Sequence, residues 1–368
     1  MSAVDRPLEW FPTQRAMWGL PSRKRPHQPD VLNLKSCELL QPRVLDWFQE
    51  RLTALRASEI VAYPTCQAAI GAVAGYFDRP TSEVMLSPGT DHAIRVLCEA
   101  LCAPAGRLVI ADPHFDGWSR YATQYGFRLH AVAMPDRSPM TVTALVDAMH
   151  DGGQAVVVLT QPDGITGQLY GRDEVAELAA AVEAHGSVLV LDTCYLAFAD
   201  GGASTVTTGR NVVRINSFSK SFGLAGARVG AVLADPPMIG YLARWSADGM
   251  ISGLSLRLLI LALDDPATFA AAWHEVWAAR AALDAGLTES FPEWRSRPSG
   301  ANFVAFDLPP DDARDVHATL LSSGIRTRLL SGLPGFPGGI RISSPSLDAV
   351  DRVLAATPFT RTRGEAMT

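Results

Sequence analysis

Nowhere does this 368-residue chain hold an apolar run long enough to span a bilayer, so no membrane-crossing segment is expected. Its first residues, MSAVDRPLEWFPTQ, are charged and broken by proline where an export signal would be apolar, and a cytoplasmic protein is the expectation. Basic clusters are missing as well. The formal net charge is -6 and the pI is near 5.8, with arginines and lysines scattered, which leaves no electrostatic footprint for nucleic acid. Cysteine is scarce: Cys37, Cys66, Cys98, Cys102 and Cys194 form an odd set of five with no CxxC pair. In a reducing compartment such a set argues against disulfides. Cys98 and Cys102 are spaced to share a helix face, but without histidine partners they read as core fillers, and no metal site is expected. Internal repeats, heptads and low-complexity tracts are absent too.

What is present is apolar residue in quantity, 48% of the chain, enough for large cores, and a length that suggests two domains with a cleft between them. Short β-branched runs, RLVIA (107–111), AVVVLT (155–160), SVLVLD (187–192) and NVVRIN (211–216), read as buried strands of a mostly parallel sheet. Between two of them RDEVAELAAAVEAHG (172–186) carries acids in its first turns and ends on His185 and Gly186, as a crossover helix does. The texture changes near 255–265 to a long alanine- and tryptophan-rich helix (267–287), FVAFDLP, a helix near 311–323 and GIRISSP, an α+β segment. We therefore divide the chain into an arm (1–45) that wraps across the body or a partner, a large α/β domain (46–260) and a small α+β domain (261–368).

In an open α/β sheet, ligands bind at the carboxyl ends of the strands. Asp192 ends the aliphatic strand VLVLD, where a carboxylate is costly unless it meets a cation. The next strand delivers Lys220 in SFSKSFGLAGARVG, placed to form a Schiff base if its surroundings lower its pKa. A Schiff-base lysine with an acidic partner for a pyridine nitrogen is the pairing of a pyridoxal phosphate site. The phosphate seat is then LSPGTDHAIRVL (86–97), where a Pro-Gly turn leads into Thr90 and Asp91 at the start of a helix over His92 to Leu101. Ser217 and Ser219 can donate to the same phosphate, and Arg228 can add a charge-assisted bond.

In these residues the chain resembles the fold-type I pyridoxal phosphate enzymes of the class I and II aminotransferase family, in layout nearest the histidinol-phosphate aminotransferases. The resemblance covers roughly residues 30–355 and is densest in S-x-S-K-x-x-G-L-x-G-x-R-x-G, Ser217 to Gly230, with Asp192 and Tyr195 at the expected interval upstream. It implies a large domain with a mostly parallel seven-stranded sheet flanked by helices, a smaller α+β domain, and an enzyme acting on an amino acid by removing its α-proton. It further implies that Lys220 binds the cofactor aldehyde and moves the proton, while Asp192 keeps the ring nitrogen protonated. Tyr195 would bond the phenolic oxygen, and Phe115 would stack on the ring. Gly89, Thr90, Asp91, Ser217, Ser219 and Arg228 would hold the phosphate. Tyr63 would reach the neighbouring subunit's cofactor in a homodimer, and Arg341 and Asn302 would grip the substrate carboxylate. His114 and His92 read as structural histidines.

Two departures stand out. Where the family carries N-P-x-N-P-T-G, this chain reads TQPDGITGQ (160–168): the asparagine position is Gly164, and Gln161 or Gln168 is the candidate substitute. Loss of that donor to the phenolic oxygen would raise the pKa of the Schiff base. We expect Gly164 to open room beside the cofactor for a bulky or second substrate. The arm departs too, since LNLKSCELL (32–40) matches the family only at Ser36 and Glu38, with Trp10, Phe11, Arg15 and Trp18 as candidate lining residues. Three functions stay open: an aminotransferase; a lyase, cyclase or β/γ-substitution enzyme of specialised metabolism; and a non-catalytic regulatory domain.

Overall fold

The computed structural model describes residues 31–101, 106–200 and 209–357, together with Met17 and Leu20. Trp10, Phe11, Arg15, Trp18 and Cys102 lie outside the described residues. Along the chain come β1 (Leu32–Asn33), β2 (Val84–Ser87), β3 (Arg107–Asp112), β4 (Arg128–Ala133), β5 (Ala155–Thr160), β6 (Val188–Asp192) and β7 (Val212–Ser217). There follow β8 (Gly230–Leu233), β9 (Arg295–Arg297), β10 (Phe303–Asp307), β11 (Ile325–Arg326), β12 (Arg328–Leu329) and β13 (Gly339–Ser343).

Seven of these strands form one sheet in the order β2-β8-β7-β6-β5-β3-β4. β8 runs antiparallel to both neighbours and every other pairing is parallel. Alternation along a strand sends successive side chains to opposite faces. In β5, Val156 and Val158 join one apolar cluster with helix Thr90–Leu101, while Val157 and Leu159 join another with helix Arg172–Ala184. Both faces are thus buried, which is why these strands read as unbroken aliphatic runs. The crossover helix ends as its sequence indicates, with Gly186 at φ 69 just after its cap.

Four further strands make an antiparallel sheet, β12-β13-β10-β9, and β1 pairs in parallel with β11. The helix Pro266–Ser290 links the two bodies: Phe269, Trp273 and Val276 pack in a cluster with Phe218 and Phe222, whereas Ala279, Leu283 and Leu287 pack with Phe306 and Ile340. The sequence division at 255–265 falls on helix Gly253–Asp264, whose buried leucines belong to the first of these clusters. Among the described residues, no helix is long and apolar enough to cross a membrane.

Candidate active site

The turn between β2 and its helix starts the site. The helix opens at Thr90 and Asp91, as expected, so its first free amides follow directly on Gly89. Gly89 has φ 75, and a Cβ there would come within 2.8 Å of Arg228 Nη2, so the glycine serves both the turn and the approach of the guanidinium. Gly230, which closes the sequence motif, faces Ser87 on one side and Ser217 on the other. A Cβ on it would meet Asn216 O at 3.0 Å and Thr90 N at 3.1 Å, so only glycine lets the two loops close. Ser217 Oγ accepts from Ser219 N at 3.2 Å and caps the short helix Phe218–Ser221 that carries Lys220. Helix dipole, amides, hydroxyls and Arg228 are together suited to seat an anion.

Asp192 lies at the end of β6, 5% exposed, in register with Thr160 of β5 and Ile215 of β7. Its Oδ1 accepts from Cys194 N at 3.2 Å. Burial raises its pKa, and Asp163 adds to the effect against the hydrogen bonds from Cys194. Among the described residues no cation pairs with it. Lys220 is the converse: burial lowers the pKa of its amine, and its Nζ donates to the carbonyl of Ser36. Tyr195 is partly buried, edge-on to Phe303 with ring centroids 5.5 Å apart, and desolvation pushes the pKa of its hydroxyl up. Cys194 Sγ lies 3.7 Å from Thr90 Oγ1, joining the helix start to the Asp192 loop.

The segment after β1 crosses this site as a strap. Leu34 O accepts from Ser343 N at 3.1 Å, Lys35 O from Arg341 Nη2 at 2.6 Å, Ser36 O from Lys220, and Cys37 O from Asn302 Nδ2 at 3.0 Å. Four residues on two bodies are thereby drawn to four successive carbonyls. Arg341 also donates through Nη1 to Gly164 O, while its Nε and the Oδ1 of Asn302 are buried with no partner. Such orphaned polar atoms are open to a water or a ligand group. Asn33 Nδ2 holds both Ser36 Oγ (2.9 Å) and Glu38 Oε2 (3.1 Å), the two strap residues that match the family pattern.

Sequence reasoning missed the cations around Arg341. β12 sets Arg328 opposite Arg341 on β13, and Lys35 sits close enough to feel Arg328, Arg326 and Arg341, in that order, after burial itself, all lowering its pKa. Burial and then Arg341 lower Arg328. The basic residues of GIRTRLL were the available signal, but only sheet register turns them toward Arg341. The cysteines at the site, Cys37 and Cys194, were likewise unassigned.

The divergent loop resolves differently from expectation. Gln161 exchanges two 2.9 Å bonds with the backbone of Tyr170, and Gln168 exchanges bonds of 3.1 and 2.7 Å with Met140, so neither amide replaces the missing asparagine. Asp163 Oδ1 closes the turn instead, accepting from Ile165 N, Thr166 N and Thr166 Oγ1. A Cβ on Gly164 would rest 3.5 Å from Tyr195, an ordinary contact, so Gly164 leaves room for a methyl group beside that ring. Phe115 is 43% exposed at the start of helix Asp116–Tyr125. His114 is tied to Ala111 O and Ser119 Oγ, a structural role. Tyr63 is 98% exposed.

The donor set is complementary to pyridoxal phosphate: a helix start suited to an anion, a buried carboxylate without an ion pair among the described residues, and an amine whose pKa burial lowers. Comparison with known proteins agrees. The chain is 28% identical over 286 residues to a histidinol-phosphate aminotransferase of Deinococcus radiodurans, covering 77% of this chain and 78% of that protein. It is 31% identical over 292 residues to that of Roseobacter denitrificans, covering 78% and 79%. The crystal structure of the Sinorhizobium meliloti histidinol-phosphate aminotransferase, in complex with pyridoxal-5'-phosphate, superposes with a TM-score of 0.79 at 24% identity over 94% of this chain and 96% of that one. The profile described as aminotransferase class I and II matches residues 29–356, and with Lys220, Asp192 and the Gly89 turn in these positions the chain belongs to that family.

Proposed function

We propose that this protein is an aminotransferase that uses pyridoxal phosphate on an α-amino acid bearing a second anionic group, with Lys220 moving the α-proton. The observation that carries the reading is the convergence of Lys220, Arg341 and Asn302 on three successive strap carbonyls, which puts a reactive amine beside two carboxylate-binding donors. When bound, pyridoxal phosphate supplies an aldehyde that condenses with amines and a ring that accepts the electron pair left at the α-carbon. Asp192 would keep the ring nitrogen protonated, and Tyr195 would donate to the phenolic oxygen. Phe115 would stack on the ring. Gly89, Thr90, Asp91, Ser217, Ser219 and Arg228 would hold the phosphate. Arg341 and Asn302 fix the α-carboxylate. Lys220, with its pKa lowered by burial, would hold and move the α-proton at Nζ.

Arg328 and Lys35 suit a second carboxylate or a phosphate on the substrate, a chemistry in keeping with the phosphorylated substrate in the relatives' name. The subunits pair as a homodimer, supported by the outward Tyr63 and the exposed Ile60 (68%) and Val61 (82%) beside it.

Purified protein with cofactor is expected to be yellow, and Lys220→Ala to lose the adduct; a colourless protein that cannot be reconstituted would overturn the reading. Because the chain has three lysines, Lys24, Lys35 and Lys220, borohydride reduction followed by peptide mapping identifies the attachment point without ambiguity. One observation favours a second outcome. With Gln161 and Gln168 both committed to backbone, the phenolic oxygen lacks the family's amide donor, which supports diversion of the carbanion to elimination or substitution. Conversion to the pyridoxamine form, reversed by a keto acid, marks transfer; release of a leaving group marks diversion.

A further inference from the structure

A second cavity, of about 750 Å³, opens where the Thr166–Gln168 turn, the Arg295–Gly300 segment and helix Pro266–Ser290 meet. Lys220, Asp192, Tyr195, Arg228 and Arg341 take no part in its walls. Its volume is that of a small-molecule pocket. Most of its surface is apolar, contributed by groups such as Trp277 and Leu169, the latter 48% exposed.

Its charges are unbalanced. Asp307 is the one carboxylate in the walls, and Arg297 already holds it through two bonds, of 2.9 and 2.8 Å. Arg280 is half-buried, and burial alone accounts for its lowered pKa, with no acid opposing it. Its Nη1 donates to Ala301 O at 2.6 Å, and among the described residues its remaining donors meet no acceptor. Arg295 and Arg137 stand exposed at the rim, and neither forms an ion pair among the described residues. A half-buried guanidinium with donors to spare and no carboxylate beside it is complementary to an oxyanion.

We infer that this cavity is a second binding site, distinct from the amino-acid site, for a small organic oxyanion with an aromatic or aliphatic body. Arg280 takes the carboxylate or phosphate, Arg295 and Arg137 add long-range attraction, and the apolar wall takes the body. The bond from Arg280 to Ala301 stays in place, so an occupant abuts the segment that carries Asn302 without displacing it.

The test is calorimetric titration of the holoenzyme with benzoate, phenyl phosphate and benzyl alcohol. At least one anion is expected to bind, and the alcohol at least about tenfold more weakly, the worth of a charge-assisted bond. Binding is expected to survive in Arg341→Ala, to weaken about tenfold or more in Arg280→Gln, and to weaken severalfold in the surface variants Arg295→Ala and Arg137→Gln, whose fold is checked by circular dichroism. The proposal is overturned if neither anion binds, if the alcohol binds equally well, if Arg341→Ala abolishes binding, or if all three cavity variants bind as the parent does.

Discussion

Asp192 is the residue whose state reports most directly on the cofactor. Its pKa lies above 3.8 because burial disfavours the carboxylate, so the folded chain without cofactor holds the proton to higher pH than the unfolded chain does. The stabilisation is complete below 3.8 and is lost as pH rises through the folded value. Asp192→Asn is therefore expected to raise the melting temperature of the cofactor-free protein near neutral pH, to leave it nearly unchanged at strongly acid pH, and to abolish activity. Melting curves against pH check the sign. Arg328 offers a second test at this scale. If it takes a second substrate anion, Arg328→Ala should raise KM for dianionic amino acids about tenfold or more, by loss of a charge-assisted bond, and leave KM for monoanionic ones nearly unchanged. Steady-state kinetics on a matched substrate pair decides it.

At the scale of elements, the glycines separate into those the backbone needs and those it does not. Gly230 sits against backbone atoms of β7 and of the Thr90 turn, which cannot yield as a flexible side chain would. Gly230→Ala is expected to destabilise by about 1–3 kcal/mol and to weaken cofactor affinity. Gly164→Ala, placed in ordinary contact with Tyr195, should fold within about 0.5 kcal/mol of the parent. Denaturant titration with cofactor-binding measurements distinguishes the two. The same contrast explains what could be read from the sequence. Lys220, Ser217, Arg228 and Gly230 lie in one contiguous stretch, and Asp192 ends a strand whose aliphatic run is explicit, so local pattern was enough. The long helix and β10 were legible for the same reason. Arg328 was not, because its relation to Arg341 depends on antiparallel register between β12 and β13. The strap was not, because a carbonyl leaves no trace in the residue code. The roles of Gln161 and Gln168 also escaped, since either amide was free on paper to turn toward the cofactor.

For the molecule as a whole, the unburied patch at Ile60, Val61 and Tyr63 is the surface to test. Helix Ser58–Val61 buries none of its residues within the protomer, an arrangement that a second copy would rationalise. In the proposed homodimer, Val61→Asp should shift the sedimentation coefficient toward the monomer and reduce cofactor retention, while Tyr63→Phe should leave the dimer intact and lower cofactor affinity alone. A parent protein that sediments as a monomer at micromolar concentration would remove the basis for both.

The strap carries a consequence for affinity. Three main-chain oxygens in a row hold the donors that an incoming carboxylate and amine require, so the protein presents its substrate with an intramolecular competitor. Such a competitor acts at an effective concentration fixed by its tether, here the short pairing of β1 with β11 and the staple from Asn33. Measured substrate affinity is then a difference between two ligands, one of them covalently attached. Loosening that attachment is a route to tighter substrate binding that touches no residue in contact with the reacting atoms.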